Sequence, residues 1–146
     1  MSNSYCMATV EPTIPSQLLT ELDKQVFKLL GATIEEHDGE CYIFFTDGVW
    51  LLLDNYMDEE LSEYAVTDED KEFVKSIIEN DYSVQEILQV ILNRPNINTR
   101  TFTVMGSFTC DKMRPGEFGG WVSLVSADNI LTESTHSMLA KMKEVI

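Results

Sequence analysis

The chain has 146 residues, with 25 acids against ten bases and a formal net charge of −15. Its length suits a single domain spanning residues 1–146, and 44% hydrophobic with 24% charged residues excludes a disordered chain. The negative charge disfavours direct binding to nucleic acid or to anionic membrane, because both need cations, and no apolar run nears the ~20 residues of a membrane-spanning helix.

Taken in order, residues 5–10 alternate weakly and predict a first strand. Residues 16–30 carry Leu18, Leu19, Leu22, Val26, Leu29 and Leu30 at helical spacing, with Gly31 as the stop. Strands are expected at 32–37, 40–46 and 49–54, joined by Asp38-Gly39 and Asp47-Gly48. Asp-Gly between apolar alternations is a strong hairpin signal, since both central turn positions want positive φ. Thr67 followed by Asp68, Glu69 and Asp70 opens a helix that buries Phe73, Val74, Ile77 and Ile78. Ser83 and Glu86 form a capping box for a second helix through Ile87, Leu88, Val90, Ile91 and Leu92, ended by Arg94-Pro95. Strands at 101–110 and 119–127 follow, and then a terminal helix from about Ser134 with Met138, Leu139, Met142 and Val145 as its inner stripe. Five to six short strands in two hairpin or meander groups, with about four helices, predict an α+β domain built on a mainly antiparallel sheet.

Charge is distributed unevenly. Residues 1–93 carry 20 acids and four bases, a net −16, and residues 94–146 carry five acids and six bases, a net +1. Within residues 54–72 nine acids face the single base Lys71: Asp54, Asp58, Glu59, Glu60, Glu63, Asp68, Glu69, Asp70 and Glu72. Tyr56, Met57, Leu61 and Tyr64 interleave with them. Tyr and Met are enriched at protein interfaces, and surrounding charge steers a partner of opposite sign. The plainer reading is a solvated helix face in which Leu61 and Tyr64 anchor the segment to the core.

Catalytic signatures are weak. Cys6, Cys41, Cys110, His37 and His136 lack any zinc spacing. Three widely spaced cysteines indicate reduced thiols, a cytoplasmic location and no disulfide scaffold. The residues of the 1–6 start give no secretory signal. A Cys110–His136–Asp128 triad exists only on paper, because a triad is defined by geometry. The pairs Glu35-Glu36 and Asp58-Glu59-Glu60 lack a neighbouring His or Lys for acid–base work, and residues 54–70 lack the glycine of a calcium loop. The segment 110–121 holds Gly116, Gly119 and Gly120 but leads into a strand, which does not suit a phosphate cradle. It reads equally well as a long hairpin with Trp121 in the core and as a second contact loop carrying Lys112, Met113, Arg114 and Phe118.

These features together predict a non-catalytic protein with no metal or cofactor. It would bind a basic, nucleic-acid-handling partner through Asp54, Tyr56, Asp58, Glu59, Glu60, Glu63, Tyr64, Asp68, Glu69, Asp70 and Glu72. Carboxylates at such density imitate a phosphate backbone, as small acidic antagonists of restriction and CRISPR machinery do. Immunity to a basic nuclease toxin is the alternative. A small enzyme or ligand-binding domain with a pocket near the glycine loop is the third. Oligomeric state is left open.

Overall fold

The computed structural model of the chain describes residues 4–47 and 60–146. The strand expected at 49–54 lies outside them. Side-chain alternation sets the layers. In β1 (Ser4–Glu11) Ala8 and Val10 are buried while Tyr5 and Met7 are exposed. β4 (Glu40–Phe45) buries Cys41, Ile43 and Phe45 and exposes Tyr42, and β5 (Thr101–Cys110) buries Phe102 and Val104 and exposes Met105. That period of two marks a sheet with one face covered.

Among the described residues the strands form one seven-stranded antiparallel sheet. Phe44 of β4 pairs with Thr33 of β3 (Thr33–His37) and with Thr9 of β1, so these strands flank β4 on opposite edges. The short β2 (Ile14–Pro15) shares the β1 edge. β1 pairs along its whole length with β5, from Ser4 opposite Cys110 to Glu11 opposite Thr103. β6 (Gly119–Ser126) and β7 (Ile130–Ser134) continue the sheet to its far edge. The β3–β4 turn has φ of 53° at Asp38 and 78° at Gly39, the two positive values that the dipeptide foretells.

α1 (Glu21–Leu29), α2 (Asp68–Asn80) and α3 (Val84–Leu92) cover one face. Leu22, Val26, Phe27, Val74, Ile77, Ile87, Leu88 and Ile91 merge with Ala8, Ile43, Phe102 and Val125 in one core. All three helices start on a capping box, at Thr20 with Asp23, Thr67 with Asp70 and Ser83 with Glu86. The Thr20 box explains why the helix expected over 16–30 is split. A 3₁₀ turn occupies Ser16–Leu18, Leu19 is extended and buried, and α1 begins only after Thr20.

Two further expectations are corrected. The strand expected at 119–127 ends at Ser126, where its N–H donates to Asn129 O at 2.8 Å, and the chain turns back as β7, an element the sequence reading lacks. The terminal helix α4 (Thr135–Val145) starts where expected, and the structure shows Ser134 capping it. Its supposed inner stripe, however, faces outward, with Met138, Leu139, Met142 and Val145 exposed by 45, 49, 57 and 88%. α4 follows an edge strand and meets chiefly β6 and β7, so among the described residues no element lies over those side chains.

Candidate protein-binding surface

Leu61 and Ala65 are buried in the core, and this fixes the stretch 60–65 against the helical layer. The stretch therefore turns the side chains between them outward. Glu60, Glu63 and Tyr64 line a shallow concavity of about 400 Å³ together with Gln25 of α1. Tyr64 is 36% exposed, so it offers part of its ring at the surface while its neighbour Leu61 acts as the core anchor. The plain reading holds for Leu61, and the interface reading stays open for Tyr64.

From Thr67 the chain enters α2, and the acids there fall into two groups. Asp70 closes the capping box: its N–H donates to Thr67 Oγ1 at 3.0 Å, and its Oδ2 accepts from the N–H groups of Val66 and Thr67, both at 3.2 Å. Its carboxylate is thus committed to the helix end, where the dipole favours it. Asp68, Glu69 and Glu72 are exposed. Among the described residues, the ion pairs of this chain lie elsewhere: Lys24 with Glu21 and Glu36, Arg94 with Asp23, Arg114 with Glu117, Lys141 with Glu133, and His37 beside Glu35. Glu60, Glu63, Asp68, Glu69 and Glu72 are thus exposed carboxylates without a neutralising partner among the described residues. Asp54, Tyr56, Asp58 and Glu59 lie outside the described residues.

The second contact loop closes the β5–β6 hairpin. Lys112, Met113, Arg114 and Phe118 are exposed, Met113 by 79% and Phe118 by 41%. Arg114 stands 3.8 Å from Glu117 within the loop, and none of the four shares a hydrogen bond or ion pair with residues 60–72. The glycines of this region have structural reasons. A Cβ on Gly106 would collide with the Trp121 indole, and one on Gly119 would meet the Phe108 ring and Thr135 Oγ1. Trp121 packs against the core, as the hairpin reading expects.

The residues weighed for catalysis are dispersed. Asp128 sits in the β6–β7 turn and accepts from Ser126 Oγ at 3.1 Å. His136 lies beyond the other end of β7, stacked on Phe108 with ring centroids 5.7 Å apart. A five-residue strand of about 3.3 Å per residue separates the two, so the paper triad with Cys110 is not assembled. Cys41 is buried and lies 3.5 Å from Ser16 Oγ. No group of three His, Cys, Asp or Glu among the described residues converges as a metal site.

The sequence reading missed a polar feature of the core. Asp23 is buried, accepts from Thr20 N–H at 2.9 Å, and takes two hydrogen bonds from the Arg94 guanidinium at 2.6 and 2.8 Å. Arg94 also covers the Phe73 ring at 5.4 Å. Arg94 and Asp23 are 71 residues apart, so no local pattern announces the pair. Compared with protein-family models, curated proteins and solved structures, the chain matches none.

Proposed function

We propose that the chain is a non-catalytic inhibitor that occupies the nucleic-acid-binding surface of a basic protein, in the manner of small acidic antagonists of restriction or CRISPR machinery. The observation that carries this reading is the placement of Glu60, Glu63, Asp68, Glu69 and Glu72. All five are exposed and none is paired with a cation among the described residues, although the chain does pair acids elsewhere. Carboxylates on α2 and on the stretch before it supply negative charge that a Lys/Arg channel otherwise takes from phosphates. Tyr64 beside them offers an aromatic anchor of the kind that dominates interface energetics. The acids at 54, 58 and 59 directly precede these residues in sequence.

The test is affinity capture from a lysate of the natural host at low salt, followed by a rising salt wash and competition with duplex DNA. One basic nuclease or nucleic-acid-binding complex is retained, released progressively by salt and displaced by DNA. The triple variant Glu60→Lys, Glu63→Lys, Glu72→Lys lowers affinity at least tenfold, about 1.4 kcal/mol. Retention of the same partner by the triple variant, or release that ignores salt, overturns the reading. Capture of a toxin encoded beside this chain would instead select the immunity alternative.

A further inference from the structure

A cavity of about 340 Å³ opens between α2 and the stretch before it. Its apolar lining comes from Ala65 and Val74, both buried, and from the half-buried Ile78. Lys71, Lys75 and Glu79 also line it, and all three are exposed, which places them at its rim. At about 3.6 residues per turn, Lys71, Val74, Lys75 and Ile78 share one side of α2, so two ammonium-bearing side chains stand beside an apolar floor. Small-molecule sites have this make-up, with mostly apolar walls and a few polar groups that orient the guest.

Residues 1–93 hold four bases, and two of them line this cavity. Acids stand at pairing distance along the helix: Asp68 three residues before Lys71, Glu72 three before Lys75, and Glu79 four beyond Lys75. Among the described residues neither lysine enters an ion pair, whereas Lys24, Arg94, Arg114 and Lys141 each do. Both ammonium groups thus keep their donors for a guest. Three other cavities differ in kind. Glu60 and Glu63 line one, Glu40 is the charged residue of the cleft at Thr13, and the described lining of the third, on the sheet at Met7, carries no charge.

We infer that this cavity binds a small amphipathic anion, its head between Lys71 and Lys75 and its apolar body over Val74, Ile78 and Ala65. The two lysines are one turn apart, about 6 Å along the axis, so a single head group can meet both. Glu79 stands one turn beyond Lys75 and keeps the head at the Lys71 end. A cation of the same shape would meet two like charges there. The volume of about 340 Å³ equals roughly eleven waters at ~30 Å³ each, which sets the guest at about ten non-hydrogen atoms. This goes beyond the inhibitor reading and stands or falls separately from it, since none of the acids proposed for partner contact lines the cavity.

The probe is octanoate, titrated into the full chain at about 0.15 M salt to screen the distant acids and followed by two-dimensional ¹H–¹⁵N NMR. Octanol and octylammonium carry the same tail with no charge and with the opposite charge. Octanoate shifts the amides of Ala65, Lys71, Lys75 and Ile78 and saturates with a Kd of about 1 mM or below. Octanol binds at least fivefold more weakly, and octylammonium leaves these amides unmoved. Lys71→Gln with Lys75→Gln weakens octanoate at least tenfold and leaves octanol unchanged. Lys28→Gln with Lys143→Gln, an equal loss of charge elsewhere, leaves octanoate binding as it was. All four lysines are exposed, so the fold is kept and the parent spectrum checks it. Octanoate shifts that are absent or centred on other residues overturn the inference. So does octanol or octylammonium binding here as tightly as octanoate, or a Lys71/Lys75 double variant that binds octanoate like the parent.

Discussion

At the scale of single residues, the Asp23–Arg94 pair holds distant parts of the chain together. It joins the first turn of α1 to the segment leaving α3, and the same carboxylate caps Thr20. Asp23 is 1% exposed and Arg94 29%, so one charge is fully desolvated and the other keeps part of its hydration. Removing one partner of such a pair leaves a buried charge without compensation, which costs about 3–5 kcal/mol. Arg94→Met keeps the packing over Phe73 and removes the charge, and its expected loss is about 3 kcal/mol, at the lower end because Arg94 is partly hydrated. Urea unfolding of Arg94→Met, Asp23→Asn and the double variant checks this. The double variant loses less than the sum of the singles, because the orphaned charge is gone. Strict additivity would show that the two side chains act independently.

At the scale of elements, α4 depends on Glu133. Hydrogen bonding from Lys141, then from Ser137, holds the Glu133 carboxyl below the ordinary 4.5 of a glutamate, and the Lys141 charge adds to the effect. A carboxyl lowered in the folded state contributes stability that is present above its unfolded value and lost as pH falls through the folded one. The contribution of this tether to the docking of α4 is therefore present at neutral pH and is lost as pH falls below 4.5 through the lowered value of the folded state. Carbon-13 NMR of the Glu133 carboxyl checks the sign, and Lys141→Met returns its titration toward the ordinary value. A carboxyl that titrates at or above 4.5 in the parent chain refutes the tether. The same element shows where sequence was and was not legible. The start of the last helix near Ser134, the Thr67 cap, the Ser83 box and the Asp38-Gly39 turn are local, written within about four residues, and all stand in the fold. The α4 stripe was read correctly as amphipathic and wrongly as inward, because periodicity defines a face without defining its neighbour. β7 was missed because Ile130 to Ser134 mixes Thr, Glu and Ser into a short edge strand whose identity rests on pairing with β6. The candidate site was legible as charge density. Which acids are exposed and unpaired, and that Asp70 serves as a cap, required the fold.

At the scale of the whole molecule, a net charge of −15 sets a conflict between stability and recognition. Two like charges about 8 Å apart in water repel by roughly 0.5 kcal/mol. Glu60, Glu63, Asp68, Glu69 and Glu72 supply several such pairs, so self-repulsion on this face amounts to about 1–2 kcal/mol at low salt. Shortening the Debye length from about 30 Å at 0.01 M salt to about 8 Å at 0.15 M relieves it. The isolated protein is therefore expected to grow more stable by about 1 kcal/mol over that range, while its complex with a basic partner weakens. Glu72 separates the two effects cleanly. It lies beyond the first turn of α2, where the helix dipole no longer favours an acid, and it stands three and four residues from Glu69 and Asp68. Glu72→Lys makes the pairs with Asp68 and Glu69 attractive and the pair with Lys75, three residues on, repulsive, a net gain of about 0.2–0.5 kcal/mol of stability. Thermal unfolding at low salt should show the gain, and it should shrink as salt rises. Binding to the captured partner should fall in the same variant. A carboxylate that lowers the stability of the free chain and raises its affinity is one retained for contact. If Glu72→Lys were instead to stabilise the chain and leave partner binding unchanged, the α2 acids would be a solvated face, and the contact would have to be sought elsewhere on the surface.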